Sequence, residues 1–333
     1  MKSLNAYYCI LFICLSLHNC KYNTDEQVPT IDLTVEEKID AVSDSIFFKS
    51  IECIVCTNDM LFFSNSVFDN IVCTDHNFKL KRIIGTRGNG PNSLLGINQF
   101  AIHDSILCVL NDGNQRINLY DVNSGNIITE TTIHSAHLSN RNRKSFDGIF
   151  WYSDTFGSDK PVSAYNIKHG TEELFGTGFE FSSAKQTAIR NKRLTVSNDS
   201  VIYVISDNLP VIETYSKETK QLTDSYDYSF FNIVKNEIKY RNTKDSADNE
   251  YFYLCYDTYI TDSNLYILLV EVKDGYRVNK IIKFDITDRL KPVAIFHLPG
   301  KIYHTFCVSE NDNCIFAFEY KSNCIEKLII PKN

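Results

Sequence analysis

Cysteine and histidine residues in the first third of the chain have a spacing that could hold a zinc ion. Cys53 and Cys56 are three residues apart, and Cys73 and His76 repeat that interval. Paired ligands at such intervals are typical of structural zinc sites. Residues i and i+3 of a β-strand, however, point to opposite faces of a sheet, so strands here would hold these side chains apart. We therefore expect no metal and no other cofactor in this protein.

Motifs for enzymatic catalysis are missing from the sequence. It contains neither a Gly-x-Ser-x-Gly nucleophile elbow nor a His-Glu-x-x-His zinc-binding helix. Its aspartates stand largely in polar segments between apolar runs, where aspartate and asparagine are expected to form turns. The sequence therefore predicts no catalytic residue, and a non-enzymatic protein is the favoured interpretation.

The composition excludes two classes of protein. With 43% hydrophobic residues, a chain of 333 residues is too apolar to be disordered. Its 34 Lys and Arg residues against 41 Asp and Glu residues give a formal net charge of −7. That balance offers no basic surface to a phosphate backbone, so we expect no nucleic acid partner.

Residues 1–19 have the features of a signal peptide for export. A positive charge precedes the apolar run Ala6–Leu17, which is too short to span a membrane. A leucine stands three residues before Cys20, a spacing that resembles the lipobox of bacterial lipoproteins. In that interpretation Cys20 carries the lipid, and residues 20–29 tether the domain formed by residues 30–333. The alternative is an ordinary secretory signal in which Cys20 is only a small apolar residue.

The cysteines after residue 20 allow two interpretations. There are eight of them, and an exported protein could join some as disulfide bonds. Cys314 and Cys324 stand on neighbouring strands of one predicted hairpin and could pair. Most of the eight lie within apolar segments, where a cysteine acts as a small buried side chain, and we favour this second interpretation.

One pattern recurs along the chain: an acidic or Asn-rich turn, a short apolar strand, a polar turn and further strands. An aspartate marks the start of each copy, at Asp59, Asp104, Asp147, Asp199, Asp262 and Asp312. These six markers are 43 to 63 residues apart. A four-stranded propeller blade takes about 40–50 residues before insertions. The spacing therefore predicts an all-β, six-bladed β-propeller with four-stranded antiparallel blades.

Strand and helix signals agree with this arrangement. Ile106–Leu110, Val201–Ile205 and Leu265–Val270 are continuous apolar runs, as expected for strands that neighbouring blades cover on both faces. Helical signals are few. Thr34–Glu37 has the pattern of a capping box, which predicts a short helix. Phe230–Tyr240 predicts a helical turn inside an insertion.

The last repeat is too short to form all four strands of a blade. After its marker the chain can form only two more, Cys314–Tyr320 and Cys324–Ile330, so the last blade lacks its outermost strand. An unpaired sheet edge favours aggregation, and Thr30–Thr34 could pair with it. We therefore expect an N-terminal strand to close the ring.

The glycine-rich segment Gly85–Pro91 is not a phosphate-binding loop. It lacks the Gly-Lys-Ser/Thr ending, and Pro91 removes an N–H donor where a helix would begin. Its glycines suit a tight connection between two blades. A second interpretation stays open, in which Arg87 and Asn89 bind a ligand on a face of the propeller.

Three segments resemble the bacterial TolB-like six-bladed β-propeller lipoproteins: Lys81–Pro91, Phe100–Asp104 and Asp112–Asp121. The first is similar to the Gly-x-Gly-Pro loop that joins blades of the NHL type. The resemblance implies a propeller fold, export and a lipid anchor, and it transfers no catalytic residue. TolB is a periplasmic propeller that binds proteins, so the resemblance also implies partner binding.

The sequence is therefore interpreted as a lipoprotein of the bacterial outer membrane that faces the periplasm or the cell surface. We expect a monomer that acts as a non-enzymatic platform for an envelope protein, a peptide or a glycan, and that contacts the membrane only through its lipid. The alternative is a metal-dependent hydrolase like the six-bladed lactonases, which hold Ca²⁺ in the central channel. The innermost strands could offer four ligands to such a site: Glu52, His103, Asp257 and His304.

Overall fold

The computed structural model describes residues 28–133, 145–153, 159–181, 183–244 and 253–331. The predicted signal peptide, Cys20 and most of the tether lie outside these ranges. Within them, six sheets each contain four antiparallel strands, and one of these sheets carries a fifth, parallel strand. The prediction of an all-β, six-bladed propeller is confirmed. The strands of each blade are called A to D, from the innermost outwards.

The N-terminal segment forms β1 Thr30–Asp32, β2 Thr34–Ile39, β3 Ala41–Ser43 and β4 Ile46–Phe47. Strands A to D of the first blade are β5 Ile54–Cys56, β6 Met60–Asn65, β7 Asn70–Asp75 and β8 Leu80–Ile84. The short strands β9 Thr86–Arg87 and β10 Ser93–Leu94 pair with each other before the second blade. That blade contains β11 Ile97–His103, β12 Ile106–Asn111, β13 Arg116–Asp121 and β14 Ile127–Thr132.

The third blade contains β15 Ser145–Phe146, β16 Ile149–Ser153, β17 Val162–Asn166 and β18 Thr171–Phe175. The fourth contains β19 Arg193–Ser197, β20 Val201–Ser206, β21 Val211–Ser216 and β22 Leu222–Asp227. The fifth contains β23 Cys255–Ile260, β24 Asn264–Glu271, β25 Arg277–Asp285 and β26 Lys291–His297. Strands A to C of the sixth blade are β27 Tyr303–Val308, β28 Cys314–Glu319 and β29 Cys324–Ile329.

The hydrophobic core lies between the blades. The buried apolar side chains form six clusters, and each cluster joins two neighbouring blades. Strands B of the second, fourth and fifth blades are buried along nearly their whole length, because both of their faces meet another blade. This arrangement is the physical reason for the continuous apolar runs in the sequence.

Two N-terminal strands join two different blades. Thr30–Asp32 pairs in parallel with Ile295–His297 of the fifth blade, and Thr34–Ile39 pairs antiparallel with β29 as strand D of the sixth. The prediction that Thr30–Thr34 pairs with the last blade is therefore wrong in position. The predicted helix at Thr34–Glu37 is also wrong. The open edge of β29 offers this segment backbone hydrogen bonds along a whole strand, and tertiary pairing of that kind overrides a weak local helix signal.

Two α-helices of the described chain lie between blades. The first, α1 Ala184–Arg190, lies between the third and fourth blades, and the second, α2 Asn232–Lys244, lies in the insertion after the fourth blade. The second helix confirms the prediction of a helix in that insertion. The first helix was not predicted; the Ser183 hydroxyl caps it by accepting a hydrogen bond from the Gln186 N–H at 3.2 Å. Arg241 fastens the second helix to the fifth blade by donating to the Val270 carbonyl at 3.1 Å.

All eight cysteines among the described residues are buried and carry free thiols. In the hairpin of the sixth blade Cys314 lies opposite Ile329 and Cys324 lies opposite Glu319, so these two cysteines stand at different ends of the strand pair. Cys53 packs between the first and second blades, whereas Cys56 packs between the sixth and the first. The members of the zinc-like spacing thus lie on opposite faces of one blade, as strand geometry requires.

Candidate binding site at the central channel

The six marker aspartates lie at one end of the propeller. Each stands in the turn between strands A and B of its blade, at residues 57–59, 104–105, 147–148, 198–200, 261–263 and 309–313. Antiparallel strands place the AB and CD turns of every blade at the same end, which is called the AB face below. The BC turns and the connections between blades form the opposite end, called the DA face.

A cavity of about 890 Å³ opens on the AB face at the centre of the ring. Residues of the A strands of all six blades line it. Its apolar lining includes Phe100, Ile102, Val196, Ile260 and Val308. Ligand sites in proteins are typically concave, of roughly 300–1,000 Å³, and combine apolar walls with a few polar groups. The cavity therefore has the size and the lining of a binding site.

The side chains around this cavity are strongly acidic. Its described lining contains six carboxylates: Asp59, Asp104, Asp147, Asp199, Asp262 and Glu310. Lys217 is the one lysine or arginine in that described lining. Carboxylates that surround a concave surface with apolar walls reinforce one another, and the cavity is a focus of negative potential.

Two of the marker aspartates serve the fold. The Asp147 carboxylate accepts hydrogen bonds from the Trp151 indole N–H at 2.9 Å and the Ile149 N–H at 3.2 Å, and it forms an ion pair with Lys217. The sixth marker, Asp312, is held in the same way by three side chains of the fifth blade: Thr261, Asn264 and Lys283. These two carboxylates link neighbouring blades.

The carboxylates of the other four markers form no hydrogen bond within the described chain to the turns in which they stand. Within the described ranges, no hydrogen bond holds the carboxylates of Asp59, Asp104, Asp199 and Asp262. In the fourth blade the turn is made by Asn198, whose side-chain oxygen accepts from the N–H groups of Ser200 at 3.2 Å and Val201 at 3.0 Å. The Asp104 carboxylate lies 3.7 Å from the His103 imidazole. Asp104 has a φ of +51°, a left-handed turn conformation that aspartate tolerates, so turn formation explains this marker. For Asp59, Asp199 and Asp262, no hydrogen bond from the carboxylate to the turn is present in the described chain.

The structure separates the four residues that could have bound Ca²⁺ in the channel. Asp257 is buried and accepts from the Thr305 hydroxyl at 2.9 Å, which joins the A strands of the fifth and sixth blades. Glu52 accepts from the Ser50 hydroxyl at 2.6 Å. His103 stands on the AB face beside Asp104, whereas the His304 ring stacks on Tyr320 on the DA face.

Across the described ranges, no three His, Cys, Asp or Glu side chains are grouped to hold a metal. The hydrolase alternative is not favoured.

Arg87 and Asn89 lie in the connection between the first and second blades, on the DA face. Arg87 forms an ion pair with Asp69 at 3.2 Å, and Asn89 is exposed. Gly85 has a φ of +79°, and a Cβ added there would lie 2.1 Å from the Leu94 side chain. The tight backbone path thus requires glycine, and neither Arg87 nor Asn89 lines the central cavity.

Two residues of the cavity were missed by reasoning from the sequence. Glu310 stands two residues before the sixth marker, so its place in an AB turn was a signal that could have found it. Ser145 is the first residue of a two-residue A strand, and no sequence signal marks it. Its hydroxyl is buried and has no hydrogen-bond partner among the described residues.

No helix in the described part of the chain is both long and apolar enough to cross a membrane.

Comparisons with known proteins show the family. The model of the family DUF5128, described as a 6-bladed β-propeller, matches residues 41–276. No curated protein sequence matches the chain. Several solved structures share the fold. A protein of Bacteroides fragilis NCTC 9343 that is described as exported is 13% identical, over 91% of this chain and 99% of its own, with a TM-score of 0.57.

Two further solved structures are similarly distant. U3-55K is 11% identical over 90% of this chain and 98% of its own, with a TM-score of 0.51. Hydrazine synthase of Kuenenia stuttgartiensis is 9% identical over 87% of this chain and 97% of its own, also with a TM-score of 0.51. At these identities the likeness shows the fold alone. Since the family model matches well over half of the chain, the protein belongs to the DUF5128 family of six-bladed β-propellers.

Proposed function

We propose that this protein is a non-enzymatic binding platform whose ligand site is the central cavity on the AB face. One observation carries the proposal: Asp59, Asp104, Asp199 and Asp262 surround the cavity, yet among the described residues their carboxylates form no hydrogen bond and no ion pair with lysine or arginine. Polar side chains of propeller turns are normally explained by turn formation. Asp147 and Asp312 stabilise the fold through hydrogen bonds and ion pairs with neighbouring side chains. The other four markers make no such contacts among the described residues.

The partner is an envelope protein, a peptide or a glycan, and the protein acts as a monomer. The resemblance to TolB-like lipoproteins supports partner binding. The buried carboxylate of the channel, Asp257, is occupied by hydrogen bonds between blades, and the remaining carboxylates lie apart on separate turns. A platform therefore fits this arrangement better than a hydrolase.

The proposed location is the bacterial outer membrane, on its periplasmic or outer side. Residues 1–19 direct export in this proposal, and lipid on Cys20 anchors the mature chain through the tether of residues 20–29. The description of the similar Bacteroides fragilis protein as exported supports the proposal. Cys20→Ala should move the protein from the membrane to the soluble fraction and abolish lipid labelling, and retention in the membrane would contradict the anchor.

Photo-crosslinking in cells tests the platform. A photoreactive amino acid is placed at Asn58 or Ser105, which are exposed at the cavity on the AB face, and in a separate protein at Asn89 on the DA face. We expect a discrete cross-linked product from the AB face. Cross-linking from Asn89 instead would assign binding to the Arg87–Asn89 loop, and products from neither face would contradict a platform.

A further inference from the structure

We infer that the partner binds the central cavity through a cationic peptide segment with an apolar residue at its centre. This inference rests on the proposed function and names the chemistry of its ligand. It follows from the charge around the cavity, from the apolar lining inside it, and from a buried hydroxyl in its wall.

The charge around the cavity lacks a counterpart among the described residues. The one lysine of the described lining, Lys217, is already paired with Asp147. Five carboxylates of the lining form no ion pair with a lysine or arginine of the described chain: Asp59, Asp104, Asp199, Asp262 and Glu310. Like charges around one concavity repel each other and destabilise the compact state. A cationic ligand would relieve that repulsion.

The carboxylates of Asp59, Asp104, Asp199 and Asp262 form the acidic rim of the cavity. The lining inside this rim is apolar, and part of its apolar surface is exposed to solvent. Phe100 and Val196 are buried, whereas Ile102 and Ile260 are half-buried and still present apolar surface. Burying that surface against an aliphatic or aromatic side chain is favourable. A peptide with one apolar residue between basic residues therefore fits the cavity. Its apolar side chain would contact the apolar lining, and its basic side chains would contact the carboxylates of the rim.

A buried hydroxyl points to the same kind of ligand. Ser145 is only 9% exposed, it lines the cavity, and its Oγ has no hydrogen-bond partner in the described part of the chain. A buried polar group without a partner costs free energy, and structures rarely retain one without a reason. A peptide offers both N–H donors and C=O acceptors from its backbone, so it can satisfy this hydroxyl. The cavity volume of about 890 Å³ suits a short peptide or the tip of a loop better than a broad protein surface.

Fluorescence anisotropy on the full-length lipoprotein in detergent tests the inference. The probes are three labelled pentapeptides: Lys-Lys-Phe-Lys-Lys, Lys-Lys-Ser-Lys-Lys and Glu-Glu-Phe-Glu-Glu. The rim variant combines Asp59→Asn, Asp104→Asn, Asp199→Asn and Asp262→Asn. The control variant changes the charge by the same amount at four exposed carboxylates that do not line the cavity, with Asp44→Asn, Glu180→Gln, Asp274→Asn and Asp288→Asn.

We expect the native protein to bind the phenylalanine peptide and not the glutamate peptide. The rim variant should bind it at least about tenfold more weakly, the control variant within about twofold, and added salt should weaken the native complex. The serine peptide should bind at least about threefold more weakly than the phenylalanine peptide. Melting temperatures of both variants verify that they are folded.

Three results would overturn the inference. One is equal binding by the rim variant and the native protein, and another is equal affinity for the serine peptide. The third is that the native protein fails to bind the phenylalanine peptide while cross-links still form from Asn58 in cells. In that third case the platform stands and its ligand is not cationic, whereas loss of the cross-links as well would contradict the platform itself.

Discussion

The Nδ1 atom of His297 lies 2.8 Å from the Oδ1 atom of Asp32, although the two residues are 265 positions apart. Asp32 belongs to β1, so this contact fastens the N-terminal segment to the fifth blade just before the chain enters the sixth blade as β2. The N-terminal strands β1 and β2 therefore pair with two neighbouring blades, β1 with the fifth and β2 with the sixth. A tether attached at this point would pull on a strand that is already paired.

The two N-terminal strands should contribute unequally to stability. A protein that begins at residue 33 loses only β1, whereas one that begins at residue 40 also loses β2 and leaves the edge of β29 unpaired. We expect the second truncation to lower the free energy of unfolding by several kcal/mol more than the first, out of the roughly 5–15 kcal/mol typical of a domain. Urea denaturation measures both. Equal stability of the two truncations would contradict the role of β2.

Tyr303→Phe should destabilise the sixth blade. The Tyr303 hydroxyl donates to the buried Glu326 carboxylate at 2.6 Å and accepts from the Gly300 N–H at 2.8 Å. The substitution removes both hydrogen bonds and leaves the carboxylate with one donor fewer, so we expect a loss of about 1–3 kcal/mol. Tyr320→Phe is the matched control, because that tyrosine is exposed. A similar, small effect of both changes would show that the Glu326 contact does not stabilise the blade.

Aspartates at equivalent positions of two adjacent blades should differ in their effect on stability. Asp147→Ala removes the acceptor of the Trp151 indole and the partner of Lys217, and should cost about 1–3 kcal/mol. Asp199→Ala removes an exposed carboxylate that holds no hydrogen bond within the described chain, and should change the stability by less than about 0.5 kcal/mol. Thermal unfolding measures both. A large loss for Asp199→Ala would show that this carboxylate serves the fold and not a ligand.

The buried thiols should resist alkylation in the native protein. A form that begins at residue 21 retains eight cysteines, all of them buried. Burial raises the pKa of the Cys73 thiol from 9.0 to about 11, and it also raises the pKa of Cys314, so little reactive thiolate is present at neutral pH. We expect no mass increase after brief treatment with iodoacetamide at pH 7.5 and eight additions in urea. Fewer than eight additions in urea without reductant would reveal a disulfide bond.

Stability should fall in alkaline solution. Burial raises the pKa of Cys73 to about 11, and burial together with the Glu130 charge raises the pKa of Tyr120 from 10.0 to about 12. The folded protein thus holds these protons more tightly than the unfolded chain, so their contribution is complete below about pH 9 and is lost as the pH rises towards 12. Urea denaturation between pH 7 and 11 measures the fall. Tyr120→Phe should make it shallower, and an identical slope would contradict this origin.

The architecture could be predicted from the amino-acid sequence, because its signals are local and repeated six times. Each aspartate at an AB turn precedes an apolar run such as Val201–Ile205, and this spacing indicates blades that bury both faces of their strands. The helix in the insertion after the fourth blade was also readable. The strand at Thr34–Ile39 was not, since its conformation depends on the free edge of β29 at the other end of the chain.

The roles of the six marker aspartates depend on their surroundings in the folded ring and could not be predicted from the sequence. In sequence they are equivalent, and turn formation explains all of them equally well. In the folded ring, Asp147 meets Lys217 of the next blade and Asp312 meets Lys283 of the blade before it, whereas Asp199 meets no such partner among the described residues. The six aspartates differ in their contacts because the side chains that pair with them come from segments distant in sequence. Closing the ring is also what places the remaining carboxylates around one cavity, where their charges act together.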